Sequence, residues 1–242
     1  MYGTIIQIQE IIKPSEQGLS RPYVCRGEDG LQYYVKGRNS TRPSQCYEWI
    51  CAHLGKAFGL NIPDVALVEI SPELLAETPA HLRDVGAGIA FGSHECPMAQ
   101  WFEPGYVSRV PEKLRRDVAV FDWWIRNDDR TSGNTNLLLD QQGNLVVIDH
   151  NAAFSSGFIS HEFQEFHIFA DSFAAVLSDF VEQENYANRL SAALELWDGI
   201  CHNVPAEWFW VNDERDIRAN FNLDIMRQQL DHCISPEFWR MV

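Results

Sequence analysis

The first hundred residues carry apolar positions in short runs of strand character, and most of the rest carries them at helical spacing. Residues 3–12 predict a strand, with apolar residues crowded around Ile5 and Ile6. A polar turn follows from Pro14 to Ser20. Residues 22–27 and 31–36 predict a hairpin closed by Asp29-Gly30, a pair suited to tight turns. Its second strand delivers Lys36 at its end. Across 44–58, Tyr47, Ile50, Cys51, Leu54 and Phe58 recur at helical spacing; Pro43-Ser44 opens that helix and Gly59 closes it. Ile62 to Ile70 predicts another strand, 72–84 a short helix, 85–95 a glycine-containing connection, and Met98 to Phe102 a strand or hinge.

A helix is expected over 111–126, with Val118, Phe121, Trp124 and Ile125 on one face. Residues 127–136 are polar. Two short apolar runs follow, Leu137 to Leu139 and Leu145 to Ile148, separated by a turn at Gly143-Asn144. Beyond 162 the pattern is mostly helical. The change of character near Glu103-Pro104-Gly105 divides the chain into 1–102 and 103–242. The expected fold class is α+β: a small β-rich lobe, built as a twisted antiparallel sheet with one main helix, and a larger helical lobe.

Composition narrows the function. Of 242 residues, 45% are hydrophobic, enough for a substantial core. The formal charge of -15 disfavours a general nucleic-acid binder, because such a surface repels phosphate backbones. The six cysteines form no C-x-x-C pair and the histidines no H-x-x-x-H pair, so zinc chemistry has little support. The beginning Met1-Tyr2-Gly3-Thr4 does not read as a secretory signal, and no apolar run reaches the ~18 residues of a membrane span. A cytoplasmic protein with free thiols is expected.

The informative stretch is 127–151. A hairpin brings the chain back to its starting point, so Asn134, before the first strand, and Asp149, after the second, should share its open end. An amide and a carboxylate there form part of a magnesium shell. Asp129, five residues before Asn134, can reach a hydroxyl beside that metal. Asp128 is a rival for this role, one residue out of register. Upstream, Glu48 lies inside the helix that follows Lys36, so a lysine held by a helix glutamate is expected. The spacing D-x-x-x-x-N, a hairpin and then an aspartate is the arrangement of protein kinases. Phosphoryl transfer needs these parts: a lysine on phosphates, a metal, and a carboxylate for the attacking hydroxyl.

Four segments carry a closer resemblance. They are Tyr34-Val35-Lys36; Glu48 to Leu54 with Gly59-Leu60-Asn61-Ile62-Pro63; Phe121-Asp122 through Asn136-Leu137-Leu138; and Val147 to Phe154. Together they resemble the small HipA-like kinases, a group related to HipA toxin kinases and to phosphoinositide kinases. The resemblance implies a two-lobed kinase fold using ATP and Mg2+ to phosphorylate Ser or Thr of a protein. Asp129 and Lys36 would be catalytic, and Asn134 and Asp149 the metal ligands. ATP would lie between the lobes, with Lys36 and Glu48 toward the phosphates, Gly18 and Ser20 in the loop covering them, and Met98 and Gln100 near the adenine. Ser15 or Ser20 would then be an autophosphorylation site. The kinship with toxins implies an antitoxin-like protein partner beside the unknown protein substrate; neither a nucleic-acid nor a membrane partner is expected.

The chain also departs from ordinary protein kinases. Asn127-Asp128 precedes Asp129 in place of His-Arg, and Asp149 is followed by His150-Asn151 in place of Phe-Gly. Asn151 tolerates a left-handed backbone, so the turn can be made there. Gly18 is the one glycine of the phosphate-covering loop. Two alternatives follow: a pseudokinase that binds nucleotide or a partner without transfer, and a small-molecule or phosphoinositide kinase. Asp140 is read as a turn residue. Trp123, Trp124, Trp208, Phe209, Trp210 and His150 are read as packing residues, and the cysteines as small buried hydrophobes.

Overall fold

The computed structural model describes residues 5–15 and 21–240. Gly18 and Ser20 lie outside them. The fold is mixed α and β, and the chain forms two compact units.

The first unit comprises Met1–Trp49, Pro63–Cys96 and Gly199–Phe221. Its strands are β1 (Ile5–Pro14), β2 (Tyr23–Gly27), β3 (Gln32–Lys36), β4 (Val65–Ile70) and β5 (Gly88–His94). They close into a barrel in the order β1-β2-β3-β5-β4. Four seams are antiparallel, but β1 runs parallel to β4, with Ile5 opposite Leu67. The expected twisted antiparallel sheet is therefore corrected to a small closed barrel with one parallel seam. The cause is β5, which occupies the segment read as a connection. Its glycines disguise it. A side chain on Gly92 would approach Val68 Cγ1 to 2.7 Å, so the barrel wall needs a bare backbone there. Register shifts in β1 bend that strand and help closure. Ile8, Ile11, Tyr33, Val35, Val68 and Ile70 fill the interior.

The segment 72–84 is not one helix. Pro79 separates α2 (Pro72–Glu77) from a 3-10 turn at Ala80–Val85, because proline cannot continue the helical ladder. The 199–221 segment, helical in pattern, packs with the barrel strands. Trp208 Nε1 donates to Ile89 O at 2.9 Å, and Glu207 Oε1 accepts from Ile89 N at 2.9 Å.

The helix α1 (Arg42–Phe58) contributes its first half, through Trp49, to this unit and its second half to the other. Nearly every side of it is covered, which suits a helix running through cores rather than over a surface. Gly59, at φ 106°, ends it.

The second unit comprises Ile50–Ile62, Pro97–Asp198 and Asn222–Val242. It holds β6 (Gln100–Trp101), α3 (Glu112–Ile125), β7 (Leu137–Leu139) and β8 (Leu145–Val147). After these come α4 (Ser160–Phe166), α5 (Ala170–Leu177) and α6 (Phe180–Leu194). Next, α7 (Trp197–His202) begins in this unit, and α8 (Leu223–Asp231) belongs to it. Helix α3 is the axis, buried from Asp117 to Ile125. Trp123 packs on Phe158, Phe163 and Phe173, and Trp124 Nε1 donates to Leu230 O at 2.9 Å. These tryptophans are core, as read. Asp140 accepts from Gln142 N and Asn144 N and closes the β7–β8 turn. Among the described residues no helix is long and apolar enough to cross a membrane.

Candidate functional site

Lys36 stands at the end of β3, opposite Phe91 of β5, and is only 5% exposed. Its ammonium is paired with Glu48 Oε1, and Glu48 is equally buried. Removing both charges from water is costly, and apolar replacements would pack at least as well. The pair is thus poor evidence of stabilisation and good evidence of a constrained cation. The strand end is gripped as well. Gln45, three residues before Glu48 on the same helix face, donates to Lys36 O at 3.0 Å and to Gly37 O. Arg42 Nη1 holds Gln45 Oε1 at 2.9 Å, and Glu207 lies 3.6 Å from Arg42. Neither Gln45 nor Arg42 was picked from the sequence. The spacing of Gln45 from Glu48 was the available signal, whereas Glu207 had none.

In the second unit the β7–β8 hairpin pairs Leu137 with Val147, and Ile148 N extends the ladder to Asn136 O at 3.1 Å. Asn134 and Asp149 therefore flank its open end. Asp129 Oδ2 accepts from Asn134 Nδ2 at 2.9 Å and from Asn136 Nδ2 at 3.1 Å. Two amides thus hold one carboxylate in place. Because the Asn134 nitrogen faces Asp129, its Oδ1 is the atom left for a cation. Asn136 was overlooked as a site residue. It is buried and left-handed, at φ 47°. The left-handed residue of the turn after β8 is Asp149, at φ 59°, and not Asn151 as expected. Aspartate tolerates this region, and Asn151 N caps Asp149 Oδ1 at 3.4 Å.

Beneath the loop lies an ionic hub. Arg130 is fully buried, with Nε 2.6 Å from Asp122 Oδ2. Its Nη1 donates to Asn136 O at 2.5 Å and Ile148 O at 3.2 Å, so one guanidinium fastens both sides of the hairpin mouth. Asn127 Nδ2 and His167 Nε2 complete the shell of Asp122, at 2.9 and 3.0 Å. Burial alone would raise the Asp122 carboxyl; the Arg130 charge and the His167 hydrogen bond outweigh it and hold it well below the usual range. Burial lowers His167, against the opposing pull of Asp122. With Nε2 on Asp122 and Nδ1 accepting from Phe169 N at 3.1 Å, the ring is neutral. Burial raises the Asp128 carboxyl, and the charges of Asp129 and Glu162 raise it further. Asp128 makes no hydrogen bond to either asparagine amide, which separates it from Asp129.

Met98 is 77% exposed at φ 56°, and Gln100 lies exposed in β6 opposite Leu139. Neither touches the Asp129 cluster through a hydrogen bond. Ser15 donates its N–H to Pro22 O at 2.7 Å. His150 is buried, edge-on to Phe121.

Residues 8–242 match the HipA-like kinase family. The chain belongs to that family. The match spans the segments that carry both the Lys36–Glu48 pair and the Asp129 cluster of this HipA-like kinase. No curated protein matches the chain. Among solved structures, that of the Helicobacter pylori proinflammatory kinase CtkA is similar, with a TM-score of 0.49 and 12% identity. That likeness covers 96% of this chain and 93% of the other.

Proposed function

We propose that this kinase transfers the γ-phosphate of ATP to a serine or threonine hydroxyl of a protein, with magnesium. The observation that carries the reading is the Asp129 carboxylate, fixed by Asn134 and Asn136 at the hairpin mouth. A positioned carboxylate of this kind orients an incoming hydroxyl. The hydroxyl oxygen would form its bond to the γ-phosphorus as the bond to the β,γ-bridging oxygen breaks. The hydroxyl proton would pass to Asp129. Lys36, aimed by Glu48, would hold the α- and β-phosphates. The hard oxygens of Asn134 and Asp149 suit magnesium, which would neutralise charge building on the phosphates.

The test is incubation with labelled ATP and magnesium, alone and with cell lysate, followed by phosphosite mapping. Phosphate on serine or threonine supports the reading. Nucleotide binding with no transfer to itself or to any lysate protein would leave the pseudokinase alternative.

A further inference from the structure

A cavity of about 430 Å³ opens beside the catalytic loop, wholly within the second unit. Pro104, Val107 and Ile168 form an apolar wall, continued by Phe166, which stays 55% exposed. Thr131 and Ser132, the second and third residues after Asp129, add hydroxyls to the lining. Glu165 adds a carboxylate. His167 also lines it, neutral because its Nδ1 accepts from Phe169 N and so carries no proton. The lining therefore has one formal charge, and it is negative.

The cavity is fixed with respect to Asp129. The connector after α4 pairs with the catalytic loop as a short bridge, Thr131 opposite His167, and Ile168 N donates to Arg130 O at 3.0 Å. Neither Asn134 nor Asp149 lines it, so it is separate from the proposed metal site. An anionic ligand would meet Glu165, with the charge of Glu162 acting on the neighbouring Asp128 as well. A cationic group beside an apolar side chain matches this lining instead.

We infer that this cavity receives the acceptor protein. Its occupant is a peptide segment carrying a large apolar side chain next to a basic residue, close to the hydroxyl presented to Asp129. The inference rests on the transfer reading above and names its substrate class. The whole-chain charge of -15 adds a long-range attraction for such segments.

Two labelled peptides test it. Both hold one serine and the same leucines, and one carries arginines where the other carries glutamates. Anisotropy titrations should show the basic peptide binding wild type about tenfold tighter or more, the scale of a charge-assisted contact. Glu165→Lys, a surface change, should remove that preference, and Val107→Trp should weaken both peptides by filling the cavity. Magnesium-ATP affinity, read by calorimetry, should stay unchanged in both variants. Equal affinity of wild type for the two peptides, or unchanged basic-peptide binding in both variants, would overturn the inference. Charge-selective binding sensitive to both variants, with no transfer in the lysate assay, would uphold the cavity and remove the transfer reading. Transfer with peptide binding indifferent to the variants would do the reverse.

Discussion

Arg130 and Asp122 form an ion pair with no solvent exposure on either side chain, Nε to Oδ2 at 2.6 Å. Asp122 belongs to α3, and Arg130 directly follows Asp129, so the pair ties the Asp129 loop to a helix buried from Asp117 to Ile125. Removing one partner strands a charge without water. Arg130→Ala is expected to cost about 3–5 kcal/mol of stability, read by urea denaturation. A loss under about 1 kcal/mol would show that the hub is not a structural anchor.

The same hub sets a pH dependence. The folded-state value of His167 lies below its ordinary value of 6.5. Below about pH 6.5 the unfolded chain takes up a proton that the folded chain resists, so stability falls as pH falls through that window. Asp122 acts lower: its depressed carboxyl contributes stability above about pH 4, lost only on further acidification. Urea midpoints measured from neutral pH to about pH 5 should decline in wild type, and the decline should be shallower in His167→Gln. Parallel slopes in the two proteins would contradict this assignment.

Asp129→Ala should abolish transfer while nucleotide affinity is nearly kept. In the proposed transfer Asp129 would face the incoming hydroxyl, which is absent from a nucleotide complex, so its loss would belong to turnover. The expected fall in rate is on the order of 10²–10⁴. Asp128→Ala is the register control and should keep transfer. Loss of transfer in Asp128→Ala alone would move the role to the other carboxylate.

The Lys36–Glu48 pair separates stability from function. Glu48→Gln or Lys36→Met alone leaves an uncompensated buried charge and should destabilise by about 3–5 kcal/mol. The double variant Lys36→Met with Glu48→Leu should recover most of that stability, yet bind ATP far more weakly than wild type. Denaturation and calorimetry on the same samples give the comparison. Wild-type ATP affinity in the double variant would remove Lys36 from the nucleotide site.

Asp149→Asn keeps the shape of a side chain that tolerates the left-handed turn, and removes one negative charge. ATP binding should become weaker in magnesium and change little in its absence. Equal wild-type affinity with and without magnesium would sink the metal role of the hairpin mouth.

The sequence by itself determined the elements that depend on local period and spacing. The β2–β3 hairpin, α1, α3 and the β7–β8 hairpin lie where apolar periodicity puts them, to within a few residues. The convergence of Asp129 with Asn134 follows from five residues of loop before a hairpin. Only tertiary structure decided the rest. Strand β5 is glycine-rich because neighbouring side chains occupy the space, and a pattern read along the chain cannot see a neighbour 24 residues away, such as Val68 against Gly92. Glu207 joins Arg42 and Ile89 across more than a hundred residues, with no local signal at either end. The Asp122–Arg130–His167 hub is likewise a fact of burial. A charged residue reads as solvated surface in sequence, and becomes an anchor only when folding removes the water around it.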